Sequence, residues 1–124
     1  MSGGDINTPI VFRGLNGPAA SVAAQHSQCF ASWYSNIPGL IVLSPYDAYD
    51  CKGLLKSAIR NNSPVIFLEN ELMYSREFDV GQDFEDKDYL IDIGKAKVMR
   101  DGKDCTIIAY SRMVGESLKA AELL

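Results

Sequence analysis

The sequence predicts an α/β fold in which a parallel sheet is flanked by helices. Three short aliphatic runs, at residues 10–12, 40–43 and 65–68, are continuous rather than alternating, which is typical of strands covered on both faces. Helical spacing of apolar residues separates consecutive runs, so each connection is expected to be a right-handed crossover between parallel strands.

The first crossover contains the only histidine of the chain. Apolar residues recur at three- and four-residue spacing between Val22 and Ile37, which predicts a helix capped by Ser21. His26 falls on that apolar stripe, where an unpartnered imidazole would cost about 1–3 kcal/mol. We therefore expect His26 to have a partner or a chemical task, and the residues alone favour a packed core histidine over a catalytic one.

The second crossover has a clear helix start. Ser44-Pro45 is followed by Asp47 and Asp50, and acidic residues stabilise a helix in its first turn. The predicted inward stripe consists of Ala48, Cys51, Leu55, Ala58 and Ile59.

After the third strand the pattern changes. We divide the chain into residues 1–74, an acidic connector at residues 75–94, and residues 95–124, which open a second domain. Residues 95–99 and 106–110 flank a turn signal at Asp101-Gly102, and Ser111 is expected to cap a final helix. That helix would turn Val114, Leu118 and Ala121 inward. Since no helix stop follows, we expect this second unit to be truncated and poorly ordered.

Composition excludes several functions. Twelve basic and sixteen acidic residues give a net charge of −4, which argues against nucleic-acid binding. The longest aliphatic runs are far below the roughly 18 residues of a membrane span, and the N-terminus does not resemble a secretory signal. Cys29, Cys51 and Cys105 have no metal-ligand spacing and are expected to be buried free thiols.

Ligands of an open parallel sheet gather at the carboxyl ends of the strands, where loops and helix N-termini converge. Glu69 and Glu71 could form an acid–base pair there, but a merely polar strand end is favoured. Gly14 and Gly17 indicate a structural turn rather than a nucleotide loop, because no complete phosphate-binding motif is present. The residues that this rule selects are Arg13, Gly14, Leu15, Asn16, Gly17, Ser44, Pro45, Glu69, Asn70 and Glu71.

Five stretches together carry a family resemblance. They are PIVFRG at residues 9–14, AAQHSQ at 23–28, PGL at 38–40, LENELMY at 68–74 and IGKA at 93–96. The sequence resembles beta subunits of pyruvate dehydrogenase, which are transketolase-like thiamine-diphosphate enzymes, over nearly all 124 residues. The resemblance implies the second half of a pyrimidine-binding domain and the start of a transketolase C-terminal domain, so we expect an internal fragment.

The resemblance also implies a function. Such enzymes are α2β2 heterotetramers that decarboxylate pyruvate on thiamine diphosphate, held with Mg²⁺ through the alpha subunit, and pass the acetyl group to a lipoyl-bearing acyltransferase core. His26 would bind substrate or donate a proton. The family's catalytic glutamate lies upstream of the matched region, so we expect the isolated chain to be inactive. The compartment would be a bacterial cytoplasm or a mitochondrial matrix.

A potassium-like site is implied by the same resemblance, with backbone carbonyls supplying most ligands. Asn61 and Ser63 differ from the Asp and Asn that relatives often carry there, which puts the affinity of the site in question. By position, the site would use Ile10, Ala58, Ile59, Asn61 and Ser63.

Three alternatives remain open. Beta subunits of branched-chain 2-oxoacid and acetoin dehydrogenases have the same build. The chain could also act only as an assembly module that binds partner subunits. A free-standing flavodoxin-like nucleotide binder is least favoured, because no complete phosphate loop is present.

Overall fold

The computed structural model describes residues 3–124, so Met1 and Ser2 of the predicted region 1–74 lie outside the described residues. Short 3₁₀ helices occur at Ala24–His26, Glu71–Met73 and Gln82–Glu85. The strands and α-helices are β1 (Val11–Leu15), α1 (Ala31–Ser35), β2 (Ile41–Leu43), α2 (Ala48–Ile59), β3 (Val65–Glu69) and α3 (Arg112–Leu123). The predicted α/β class is confirmed.

The three strands form one parallel sheet in the order β1-β3-β2. Val65 is the register partner of both Val11 and Ile41. Every residue of β3 is buried, as expected for a central strand covered on both faces. The strand β1 is largely exposed, so the prediction of two covered faces holds for β3 and not for β1. The core cluster consists of Leu43, Ala58, Val65 and Phe67.

The helix α2 follows the sequence prediction at its start. The carboxylate of Asp47 accepts a hydrogen bond from the backbone N–H of Asp50 at 2.7 Å, which satisfies a free amide of the first turn. Ala58 is buried, whereas Ile59 is 64% exposed, so the predicted inward stripe is wrong at its last residue.

The first crossover differs from its prediction. Ser21 and Ala23 have positive φ angles of 57° and 58°, so the chain cannot run as one helix from Ser21. Residues 17–30 instead form a loop with a single 3₁₀ turn, and α1 begins only at Ala31. His26 is exposed in this loop, so the expectation of a buried position on an apolar stripe is wrong.

The predicted connector packs on α2. The hydroxyl of Ser57 donates to the carbonyl of Ile91 at 2.6 Å, and Lys52 donates to the carbonyl of Phe84. The ring of Tyr49 makes edge contacts with Phe84 and with Tyr89. The connector therefore packs against α2 through these contacts and does not extend into solvent.

The predicted hairpin of the second unit does not form. Residues 95–110 contain no strand, and the side chain of Ile108 is 93% exposed. A two-stranded hairpin without a packing surface has little stability, which accounts for its absence. The predicted final helix is present as α3, but Ser111 has φ 53° and its side chain does not cap the helix.

The cysteines are free, as predicted, but their predicted burial is wrong for two of them. Cys29 and Cys105 are exposed, and Cys51 is partly buried. Over residues 3–124, none of the helices has the length and apolar character needed to cross a bilayer.

Candidate functional site

An ion pair joins the middle of β1 to the carboxyl end of β3. Arg13 donates from Nε to Oε2 of Glu69 at 2.7 Å and from its terminal nitrogen to Oε1 at 2.9 Å. The hydroxyl of Tyr74 donates to the same Oε2 at 3.1 Å. The Glu69 side chain is almost fully buried, while the Arg13 side chain is 55% exposed. Strand register allows this contact, because Arg13 lies opposite Phe67, and Glu69 is two residues further along β3 and so on the same face of the sheet.

A concavity of about 250 Å³ opens beside this ion pair. Its floor comes from the sheet edge, and one wall comes from the start of α2, including Asp47 and Cys51. The opposite wall comes from residues after β3, including Met73, Tyr74 and Phe78. The sequence prediction missed this last wall. Its only signal in the sequence was the position of LENELMY directly after a strand. The lining residues that were predicted are Arg13, Pro45, Glu69 and Asn70.

Burial and the Glu69 carboxylate shift the pKa values of the groups that line the concavity. The hydrogen bond to Glu69 raises the pKa of Arg13, so the guanidinium stays charged. Burial, and then the hydrogen bond to Glu69, raise the pKa of the Tyr74 hydroxyl, which keeps it a donor. Burial, followed by nearby carboxylates, raises the pKa of Cys51 to about 11, so this thiol stays protonated and unreactive.

The loop of His26 begins and ends at the same sheet edge. Asn16 is buried, and its side-chain oxygen accepts from the backbone N–H of Phe30 at 2.7 Å. The backbone N–H of Gly17 donates to the carbonyl of Gln28 at 2.7 Å. The predicted turn flanked by Gly14 and Gly17 does not form as such, because Gly14 lies within β1 opposite Leu68, and only Gly17, with φ 86°, belongs to the loop. The exposed His26 lies in the loop that these two hydrogen bonds close.

Glu69 and Glu71 do not form an acid–base pair. Glu69 is committed to Arg13 and Tyr74, whereas Glu71 begins the 3₁₀ helix that follows β3. The favoured alternative of a polar strand end is thus confirmed. Asn70 caps that short helix by accepting from Leu72 N–H at 3.1 Å.

The residues of the potassium-like site lie at the opposite edge of the sheet, where α2 ends and β1 and β3 begin. The carbonyl of Ile10 accepts from Val65 N–H at 2.8 Å, and the carbonyl of Ala58 accepts from Asn61 N–H at 3.1 Å. The side-chain oxygen of Asn61 accepts from Ser63 N–H at 2.8 Å. Oxygens of this kind are the ligands that a hard cation prefers, although the Ala58 carbonyl already accepts from the N–H groups of both Arg60 and Asn61.

In the described range 3–124, no three His, Cys, Asp or Glu side chains are arranged to hold a metal ion.

Parallel strands joined by crossovers, with a concavity beside their carboxyl ends, define an α/β domain of the class that binds ligands at that edge. Comparison with known families gives the particular family. Residues 1–76 match the model of the transketolase pyrimidine binding domain, and residues 94–124 match that of the transketolase C-terminal domain. The chain belongs to the transketolase pyrimidine-binding family.

Curated relatives are similar over the whole chain. The mitochondrial pyruvate dehydrogenase E1 component subunit beta of Drosophila melanogaster is 64% identical over 121 residues, covering 98% of this chain and 33% of that protein. The beta-1 subunit of Arabidopsis thaliana is 59% identical, and the human subunit beta is 57% identical, each over 100% of this chain and 34% of the relative. The chain spans about a third of the length of these relatives.

Proposed function

We propose that this chain forms part of the beta subunit of a pyruvate dehydrogenase, the enzyme that decarboxylates pyruvate and transfers the acetyl group to a lipoyl arm. The observation that carries the proposal is identity of 56–64% to subunits of that name across nearly the whole chain. Residues 1–74 would belong to the pyrimidine-binding domain, 75–94 to a connector, and 95–124 to the C-terminal domain. The family matches at residues 1–76 and 94–124 support this division.

Thiamine diphosphate would be the cofactor, with Mg²⁺ held through the alpha subunit, and it supplies the electron sink for decarboxylation. The carboxylates at the described edge suit a different task. Glu69 is neutralised by Arg13 and buried, so it holds the strand ends together instead of exchanging protons. The chain's own contribution to the chemistry would therefore come from His26.

His26 would act on the substrate or donate a proton during acetyl transfer. Its exposure on a loop at the carboxyl edge supports this role, because a catalytic imidazole must reach a molecule outside its own chain. The two attachments of the loop to the sheet edge, through Asn16 and Gly17, support it further.

A monovalent cation, K⁺, would bind at Ile10, Ala58, Ile59, Asn61 and Ser63. Oxygen atoms of Ile10, Ala58 and Asn61 lie on segments that hydrogen bonds of 2.8–3.1 Å hold in place, which supports an ordered set of oxygen ligands. Equilibrium dialysis with Rb⁺ as a probe would test this site, and Asn61→Ala should weaken binding relative to Asn62→Ala.

The partners would be an alpha subunit, a second beta subunit and the lipoyl-bearing acyltransferase core, in the mitochondrial matrix. Names of the relatives support the compartment, since they are mitochondrial subunits. Exposed apolar side chains support an assembly role beside the catalytic one, and Phe12, Leu15 and Trp33 are each at least half exposed.

Activity of the assembled enzyme tests the proposal. The beta subunit that contains this chain is co-expressed with its alpha partner, and thiamine-dependent dye reduction is measured with pyruvate and with a branched-chain 2-oxoacid. We expect pyruvate to be preferred and His26→Ala to lose at least about tenfold in kcat/KM, or about 1.4 kcal/mol. Gln28→Ala, an exposed neighbour in the same loop, is the control.

Other outcomes separate the parts of the proposal. A preference for the branched-chain substrate would assign the chain to a branched-chain 2-oxoacid dehydrogenase instead. Full activity of His26→Ala would remove the catalytic role while leaving the enzyme class intact. Assembly with the alpha subunit without thiamine-dependent turnover would leave only the assembly role.

A further inference from the structure

The loop that carries His26 is closed by one side chain. The loop spans residues 17–30, and its two ends meet at Asn16. The side-chain oxygen of Asn16 accepts from Phe30 N–H at 2.7 Å, and its amide nitrogen lies 3.4 Å from the sulfur of Cys29. Directly beside it, Gly17 N–H donates to the Gln28 carbonyl at 2.7 Å.

Asn16 is itself held by the central strand and the residue after it. Its backbone N–H donates to the carbonyl of Glu69 at 2.7 Å, and Asn70 Nδ2 lies 3.5 Å from the Asn16 carbonyl. Asn16 and Asn70 are 9% and 8% exposed. Water cannot replace the contacts of the buried Asn16 side chain without rearrangement of the protein. The loop is therefore held in a fixed position relative to the sheet edge.

The geometry at this junction is restrictive. Gly17 has a φ of 86°, and a Cβ atom there would lie 3.0 Å from Nδ2 of Asn70. Both the backbone conformation and the close approach to Asn70 therefore require glycine beside Asn16. These contacts define the Asn16 clasp, consisting of Asn16, Gly17 and Asn70.

We propose that Asn16 is a positioning residue for His26: it fixes the ends of the loop so that the imidazole is presented at the carboxyl edge in one orientation. The inference rests on the proposed function of His26. Phe30 lies only four positions after His26, so loss of the Phe30 hydrogen bond removes a restraint close to the imidazole. Asn16 does not touch the substrate in this mechanism, and its effect passes through His26.

The test uses the assembled α and β subunits with Asn16→Ala, Asn16→Asp, and Asn36→Ala as an exposed control of the same residue type. We expect Asn16→Ala to lower kcat by at least about tenfold while KM for pyruvate changes less than about threefold. Asn16→Asp keeps the oxygen that accepts from Phe30 and should recover activity to within about threefold of wild type. Asn36→Ala should match wild type.

A double variant separates positioning from general stability. In a His26→Ala background, Asn16→Ala should cause less than about a twofold further loss, because both changes remove the same contribution. Additive losses, or an Asn16→Ala enzyme with unchanged kcat, would overturn the inference. If the Asn16→Ala enzyme does not assemble, Asn16→Asp is measured instead, with and without His26→Ala. An Asn16→Asp enzyme that is as impaired as His26→Ala would also overturn the inference.

Hydrogen exchange distinguishes this inference from failure of the proposed function. Amides of Gly17 and Phe30 should exchange at least about tenfold faster in Asn16→Ala than in Asn36→Ala, whether or not the enzyme turns over pyruvate. Unchanged exchange would refute the Asn16 clasp even in an active enzyme. If the wild-type enzyme is inactive but the exchange difference is present, the proposed function is refuted and the Asn16 clasp has no catalytic role.

Discussion

Arg13 and Glu69 form a two-pronged ion pair across adjacent parallel strands, with nitrogen–oxygen distances of 2.7 and 2.9 Å. Tyr74 adds a third donor to the same carboxylate at 3.1 Å. Because the Glu69 side chain is buried and Arg13 is half exposed, the carboxylate depends on these donors in place of water.

Removal of the Arg13 guanidinium should therefore destabilise the fold. We expect Arg13→Ala to reduce the free energy of unfolding by about 1–3 kcal/mol, since a buried carboxylate would keep only Tyr74 as a side-chain donor. Arg13→Lys should lose less, because it keeps the charge but not the fork geometry. Urea unfolding measures both, with exposed Arg100→Ala expected within about 0.5 kcal/mol of wild type. Equal stability of Arg13→Ala and Arg100→Ala would show that the pair contributes nothing.

The three thiols should differ in reactivity. Burial and the neighbouring carboxylates raise the pKa of Cys51 to about 11, whereas Cys29 and Cys105 are exposed. At pH 8 we expect iodoacetamide to alkylate Cys51 at least about tenfold more slowly than the other two, because the thiolate is the reactive form. Peptide mass spectrometry over time measures the rates. Urea should equalise them, and a fast Cys51 in the folded protein would contradict the burial described here.

Asp50 should make a pH-dependent contribution to stability. Burial raises the pKa of its carboxyl in the folded state, even though Tyr46 N–H donates to it at 3.1 Å. A raised pKa means that the folded state binds the proton more tightly. The stabilising contribution is therefore complete below the unfolded pKa and disappears as pH rises through the folded value.

Asp50→Asn exposes this contribution, because the amide cannot ionise. The difference in unfolding free energy between Asp50→Asn and wild type should shift in favour of the variant as pH rises from about 4 and then reach a plateau. Urea unfolding at a series of pH values measures the difference. Asp101→Asn, in an exposed loop, should give a difference that varies less with pH, and a flat profile for Asp50→Asn would contradict the shift.

Gly53 should be required for the connector to pack on α2. A Cβ atom at Gly53 would lie 2.6 Å from Ile91 and 2.9 Å from Tyr89. Alanine normally stabilises a helix interior by about 0.5–1 kcal/mol relative to glycine, but here it must displace the connector. We expect limited proteolysis within residues 82–91 to become faster in Gly53→Ala. Gly102→Ala, where the added atom meets nothing within 4 Å, should leave the cleavage rate unchanged.

The sheet and α2 could be predicted because their signals are local. The continuous apolar run at residues 65–68 marks a buried strand, and the acidic pair Asp47 and Asp50 marks the start of α2, where the Asp47 side chain caps the helix. The loop of His26 could not be predicted, since its apolar spacing also fits a helix. Its course is decided by contacts of Asn16 and Gly17 with residues 28–30, and by Glu69 far along the chain. Tertiary contacts of this kind override helical spacing.

The candidate site was predicted in outline for a topological reason. The predicted strand ends were enough to bring Asn16 and Glu69 to one edge, whereas Arg13, predicted to follow the first strand, lies within β1. The sequence did not reveal that Arg13 and Glu69 pair, because that depends on strand order, and β3 lies beside β1 rather than beyond β2. The wall formed after β3 was missed because residues 71–78 have no regular period.

The position of β3 between β1 and β2 has a consequence for synthesis of the chain. In the described residues, both earlier strands hydrogen-bond only to β3, and Arg13 precedes its partner Glu69 by 56 residues. As the polypeptide leaves the ribosome, β1 and β2 emerge before the strand that joins them, with the edges that will pair with β3 still open. Such edges are available to other nascent chains and to chaperones. Within residues 3–124, the two strands are joined only when residues 65–69 enter between them.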